Sequence, residues 1–199
     1  MSHYYIHDPN LDHDIKKIEL EIDGISLVFY TDKGVFSKDK IDFGTLLLMK
    51  SAQLIHPESK VIDVGCGYGP VGIFIAKKHP KASVILVDIN DRALELAQKN
   101  QAINDVKNVD VRHSNGLESV SEKADLILTN PPIRAGKEVV FKIYQEAYHR
   151  LNANGRLMVV IQKKQGAPSS FEKIKTLFGN AVVLTKDKGY WILLAEKEA

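Results

Sequence analysis

The spacing of apolar positions changes twice along the chain. Apolar and acidic residues alternate in Ile18-Glu19-Leu20-Glu21-Ile22, Asp23-Gly24 interrupts, and a second apolar-rich run follows from Ile25 to Tyr30, a pattern that predicts a β-hairpin. After a polar stretch from Thr31 to Asp39, Phe43 to Ile55 shows helical spacing. Leu46, Leu47, Met49 and Leu54 are available for a core there, with Asp42 or Thr45 able to cap the helix. From Lys60 the period alternates regularly. Strands are expected at Val61–Val64, Ser83–Asp88, Val109–His113, Asp125–Thr129 and Arg156–Ile161, and helices at Val71–Lys78, Arg92–Ile103 and Lys137–Leu151. Such alternation predicts an α/β domain with a mostly parallel sheet covered on both faces. A helix over Phe171–Phe178 precedes two strands, Ala181–Thr185 and Tyr190–Ala195. The short Gly-containing link between them, Lys186 to Gly189, makes the last strand antiparallel. Leu151 to Gly155 reads as a helix end with a turn.

Composition narrows the classes without choosing among them. Of 199 residues, 44% are hydrophobic and 26% charged, the profile of one globular domain and not of a disordered or fibrous chain. The expected division is a flexible segment over 1–17 and a single domain over 18–199, with a hairpin and lid helix over 18–57 and the core over 58–199. Lys+Arg 27 against Asp+Glu 25 leaves a formal charge of +2, too small by itself to indicate a polyanionic partner. The lone Cys66 and a start without a basic or apolar leader point to a reducing, cytoplasmic setting. Apolar runs are strand-sized, well short of the roughly 18 residues of a membrane span, so no membrane partner is expected. His3, His7 and His13 among nearby aspartates read as a terminal segment rather than a metal site, and no metal is expected.

Two segments carry candidate chemistry. The first is Val61-Ile62-Asp63-Val64-Gly65-Cys66-Gly67-Tyr68-Gly69-Pro70. A strand stops, three glycines let the backbone turn and approach a ligand, and Pro70 suits the first position of a helix. Ligands of open α/β sheets bind outside the carboxyl ends of the strands, where this loop lies. Gly67 to Gly72 also fits the dinucleotide pattern G-x-G-x-x-G, with Asp88 about 20 residues on. That frame should open immediately after the strand, yet Asp63, Gly65 and Cys66 intervene. A carboxylate there favours a ligand with a cationic part and opposes pyrophosphate.

The second segment is Leu126-Ile127-Leu128-Thr129-Asn130-Pro131-Pro132-Ile133. Two prolines end an apolar strand, fix φ and remove two amide donors, which leaves acceptors pointing outward. The Asn130 side-chain oxygen and the Pro131 carbonyl can each take one N–H of a planar NH₂ group. An amine so held is poised for in-line attack on a methyl group, and orientation substitutes for a strong base.

Asp63-x-Gly65-x-Gly67-x-Gly69 together with Asp88 resembles the cofactor loop of class I S-adenosylmethionine-dependent methyltransferases, and Asn-Pro-Pro resembles their amino-methyltransferase motif. Gly34-Val35-Phe36-Ser37, Asp42-Phe43-Gly44-Thr45, Asn130 to Ile133 and Gln162 to Gly166 together resemble the guanine-N2 methyltransferases of small-subunit (16S) ribosomal RNA. The resemblance implies a Rossmann-like fold with sheet order 3-2-1-4-5-7-6. It implies S-adenosyl-L-methionine held by Asp63, Gly65, Cys66, Gly67 and Gly69 at its methionine part, by Asp88 at the ribose and by Asn115-Gly116 at the adenine, with Ile89 also against the cofactor and Asn130 at its border. It implies catalysis at Asn130, Pro131, Pro132 and Ile133, where Ile133 replaces the aromatic residue that stacks on a target base. The stacking is expected from Phe36, Phe43 or a further residue that the sequence does not single out. The partner implied is ribosomal RNA or an assembling small subunit. Independently of the resemblance, Lys38 and Lys40 precede the lid helix, Arg134 and Lys137 follow Asn-Pro-Pro and Lys163 and Lys164 follow the fifth strand, charges expected to converge on one edge as a rim suited to phosphates. Protein glutamine or DNA adenine methylation, an NAD-dependent oxidoreductase and a non-catalytic RNA binder remain open alternatives at this point.

Overall fold

A computed structural model describes residues 13–35, 37 and 39–199. The hairpin forms from β1 (Lys16–Ile22) and β2 (Ile25–Thr31), turning at Asp23 and Gly24, both at positive φ. It begins two residues earlier than the alternation suggested, since Lys16 pairs with Thr31 and Lys17 with Tyr30. Helix α1 (Phe43–Ser51) is capped by Asp42, whose side chain accepts from the Thr45 amide. It is shorter than the sequence period implied, because Ala52 is already extended and its N–H closes the last turn on Leu48. Leu48 and Met49 are its fully buried anchors, while Leu46, Leu47 and Leu54 pack at the core margin.

The remaining elements are β3 (Lys60–Val64), α2 (Pro70–Lys78), β4 (Ser83–Asp88), α3 (Asp91–Ile103), β5 (Val109–His113), β6 (Ala124–Thr129), α4 (Lys137–Arg150), β7 (Leu151–Gln162), α5 (Ala167–Phe178), β8 (Val182–Asp187) and β9 (Tyr190–Glu196). The sheet order is β5-β4-β3-β6-β7-β9-β8, the expected 3-2-1-4-5-7-6 when its strands are counted from β3. β9 runs antiparallel to both neighbours.

Three boundaries differ from the sequence reading for local reasons. Leu151 is not the end of a helix: it pairs with Ala124, and β7 starts there. The turn signal at Asn154-Gly155 becomes an irregularity inside the strand, with Asn154 at φ 61 and a register shift between Ala124 and Leu126. Helix α5 starts at Ala167, four residues earlier than expected, because Gly166 adopts a left-handed conformation and Pro168 fits the first turn.

Alternation along the central strands divides the interior into two cores. Val61, Leu126 and Leu128 face α1, α2, α3 and the hairpin, whereas Ile62, Val64 and Ile127 face α4 and α5. Strands apolar on both faces are what a parallel sheet between helical layers requires. Gly72 permits the closest of these contacts: a Cβ there would lie 2.0 Å from Leu86 Cδ2. Among the described residues no helix is long and apolar enough to cross a membrane.

Candidate active site

The carboxyl ends of β3 and β6 meet in one cleft, and the end of β4 supports its glycine loop from the side. After Val64 the chain turns on Gly65, Gly67 and Gly69, at φ 70, 57 and 88. The loop is anchored to the next strand, since the Gly65 and Cys66 amides both donate to the Val87 carbonyl, at 2.9 and 3.0 Å. A Cβ built on Gly65 or Gly67 would meet nothing within 4 Å, so these glycines leave an open cradle along the backbone. At Gly69 the demand is packing, because a Cβ there would press to 2.8 Å on Ile73 Cδ1.

Two carboxylates back this loop. Asp63 is 2% exposed, and its Oδ2 accepts from the Gly72 amide at 3.0 Å. Burial, reinforced by Asp88, pushes its pKa up to about 7 despite that hydrogen bond. Asp88 is 7% exposed and accepts the Gly67 amide on Oδ2 at 2.8 Å and the Asn90 amide on Oδ1 at 2.9 Å. Burial raises its pKa as well, opposed by those amides. The cap of α3 is Asn90, so Asp88 is not spent on capping. Cys66 is buried, and burial together with both carboxylates pushes its thiol pKa upward, which keeps it protonated and unreactive.

Around the cradle, Ile89 is exposed at the end of β4, and its carbonyl lies 3.1 Å from His113 Nε2. Asn115 is exposed with its amide directed 3.3 Å to Glu118 Oε1. Gly116, at φ 61, lets Glu146 reach the Leu117 amide at 2.8 Å; a Cβ on Gly116 would collide with Glu146 Oε2. Acidic side chains therefore stand at this end of the edge and not only at a distance from it.

At the β6 end, Thr129 Oγ1 donates to the Val64 carbonyl at 2.8 Å and ties the two strand ends together. Asn130 is half-buried, and its Nδ2 donates to Thr45 Oγ1 at 3.1 Å. Pro131 is buried and its carbonyl accepts from the Ile133 amide at 2.9 Å, leaving a second lone pair. The Pro132 carbonyl accepts from Ala135 in a short 3-10 turn, Ile133–Ala135. Ile133 packs part of its side chain against the α4 and α5 core. One cleft is lined by Asp63, Gly65, Cys66, Gly67, Asp42, Thr45 and Asn130, so the two motifs that stand far apart in sequence share a cavity.

Of the rim, Arg134, Lys137, Lys163 and Lys164 are exposed. Phe36 and Lys38 lie outside the described residues, as do His3 and His7. His13 Nδ1 pairs with Asp32 Oδ2 at 2.5 Å. Phe43 packs against Tyr190 with ring centroids 5.9 Å apart, and Lys188 Nζ lies 4.5 Å from the Phe43 centroid. Tyr190, Lys188, Asp42 and Thr45 were not singled out as site residues by the sequence. Tyr190 was within reach of topology: an antiparallel final strand starts at the edge where the parallel strands end, and Tyr190 pairs with Gln162 there.

The sequence matches the Methyltransferase small domain family over residues 26–194. YbxB, an uncharacterised protein of Bacillus subtilis, is 41% identical over 198 residues that cover 98% of each chain. Ribosomal RNA small subunit methyltransferase C of Colwellia psychrerythraea is 32% identical over 195 residues, covering 94% of this chain and 52% of the relative. The chain thus spans about half the length of that methyltransferase. Among solved structures, the T. thermophilus 16S rRNA N2 methyltransferase (RsmC), in complex with AdoMet and guanosine, superposes with a TM-score of 0.82 at 28% identity, over 92% of this chain and 51% of that one. With most of its length matched and its seven strands in the order expected, the chain belongs to the Methyltransferase small domain family and has the Rossmann-like class I methyltransferase fold.

Proposed function

We propose that this chain binds S-adenosylmethionine in the Gly65–Gly69 cradle and methylates the exocyclic N2 amine of a guanine in small-subunit ribosomal RNA. The observation that carries the reading is the shared cleft, in which Asn130 stands beside Asp63, Gly65 and Gly67. The cradle fits that cofactor on two counts. Space is open on the cradle side of Gly65 and Gly67, and two buried carboxylates lie behind it. Carboxylates in that place favour a ligand bearing an ammonium and a sulfonium over one bearing a pyrophosphate. The cofactor supplies an electrophilic methyl group when bound.

The remaining roles belong to the protein. Asp63 and the glycine backbone hold the methionine part, Asp88 holds the ribose hydroxyls, and Ile89, Asn115 and Gly116 border the adenine. Asn130 Oδ1 and the spare lone pair of the Pro131 carbonyl accept the two N–H bonds of the target amine, which directs its nitrogen lone pair toward the methyl group. Pro132 holds this turn, and Ile133 gives an apolar side to the base. Phe43 supplies an aromatic face at the same edge. Arg134, Lys137, Lys163 and Lys164 contact phosphates, and a guanine that leaves its stack is the form that reaches Asn130. The methyltransferase C relatives and the guanosine named with the T. thermophilus structure support this choice of substrate.

Asn130→Ala is expected to lower methyl transfer by at least about 100-fold, the scale of a lost positioning contact, while cofactor affinity stays near wild type. Asp88→Ala is expected to weaken cofactor binding instead. Calorimetric titration and a filter assay with labelled cofactor separate the two effects. An Asn130→Ala protein with wild-type transfer contradicts the reading.

A further inference from the structure

The role given to Asn130 requires one of its two amide orientations. Its oxygen must face the acceptor amine, because the NH₂ end would present donors to donors. A side-chain amide has no intrinsic preference between its ends, so something on the protein must choose. The neighbours that do so lie 85 residues earlier in the chain, at the amino end of α1.

Asp42 uses both carboxylate oxygens on Thr45. Oδ1 accepts the Thr45 backbone N–H at 3.1 Å, and Oδ2 accepts the Thr45 hydroxyl. A threonine hydroxyl has a single hydrogen, and here the carboxylate takes it. The Thr45 oxygen then faces Asn130 as an acceptor only, and Asn130 Nδ2 donates to it at 3.1 Å. Turning the amide over would set Oδ1 against an oxygen with no hydrogen left to give. Thr45 is 4% exposed, so water does not readily relieve that conflict.

We propose that Asp42 and Thr45 are positioning residues that fix the amide of Asn130 with its oxygen toward the acceptor amine. The inference rests on the reading of Asn130 as the amine-holding residue. It also accounts for asparagine rather than aspartate at position 130: an aspartate would place an acceptor against a hydroxyl already committed to Asp42. The site is therefore complete only when α1 is docked on the end of β6, which gives the lid helix a part in assembling it.

Thr45→Val and Thr45→Ser test the proposal. Valine keeps the shape and leaves the Thr45 N–H on Asp42, so the helix cap survives; serine restores the hydroxyl. Valine is expected to lower kcat by about 10- to 100-fold in a protein that remains folded and binds the cofactor with near wild-type affinity, and serine to recover most of the rate. A second readout needs no turnover. In protein labelled with ¹⁵N-asparagine, the Asn130 side-chain amide signal is identified by its loss in Asn130→Ala. Valine should shift that signal and speed its hydrogen exchange, and serine should leave it in place. An amide signal unmoved by valine overturns the positioning role, as does a valine variant with wild-type kcat. If the wild-type protein methylates no ribosomal RNA, the proposed function fails while the amide signal still decides whether Thr45 orients Asn130.

Discussion

Asp63 concentrates the electrostatics of the glycine-loop cradle in one residue. Buried beside a second carboxylate, it has a pKa near 7 in the folded chain, against 3.8 for an ordinary aspartate. Between those values the folded protein binds more protons than the unfolded chain. Its contribution to stability is therefore full below about pH 3.8 and is lost as pH rises toward about 7. A cationic ligand reverses this preference, because it favours the ionised carboxylate. Denaturant midpoints of the ligand-free protein at pH 5 and pH 8 are expected to fall with pH by more in wild type than in Asp63→Asn, which lacks the group. Parallel changes in the two proteins would show that Asp63 ionises normally. The sequence revealed the residue but not its state: a carboxylate at a strand end beside glycines is visible in a string of letters, whereas its ionisation depends on burial under α2 and on the charge of Asp88 beside it.

Elements hold the site through polar links as much as through the core. Among the described residues the outer edge of β2 pairs with no strand and is met by side chains of α3 instead. Asn100 takes the Tyr30 N–H at 2.7 Å and returns a hydrogen to the Tyr30 carbonyl, and Asn104 does the same for Val28, at 3.0 and 2.6 Å. Asn100 also donates to the Tyr68 carbonyl at 2.9 Å, which connects the hairpin to the glycine loop. Asn104→Ala removes both of its bonds to β2 and leaves backbone groups without their partner. A loss of about 1–3 kcal/mol in unfolding free energy is expected, measured by urea denaturation. A loss under about 0.5 kcal/mol would mean that water replaces the side chain. Helix α3 was legible from its apolar spacing; the task of its asparagines was not, because a polar residue on a helix face does not say which backbone it meets. The same limit hid Thr45 and Asp42. Both are visible as cap residues, and their second use depends on how α1 docks on β6.

At the scale of the molecule, a parallel sheet brings distant segments to one edge, and this is why so much of the arrangement could be read beforehand. Asp63 is the penultimate residue of a predicted strand, Asp88 the last of another and Asn130 the first after a third, so predicting the strands placed them on one edge. Long range features set by the last strand were harder, and Tyr190 and Lys188 entered the site only when β9 was seen to start at that edge. The charge pattern is mixed there. Exposed lysines and Arg134 flank the Asn130 end, while Glu118 and Glu146 sit by Asn115 and Gly116. A near-neutral total of +2 thus conceals an edge that is cationic at its Asn130 end and acidic at its Asn115 end. The most direct test of the proposed reaction is to supply labelled S-adenosylmethionine with small-subunit RNA, free and assembled, from cells lacking this protein, and to identify the product nucleoside by mass spectrometry. The account predicts N2-methylguanosine at a single position, absent with Asn130→Ala. Methylation confined to another base, to protein or to DNA would contradict it.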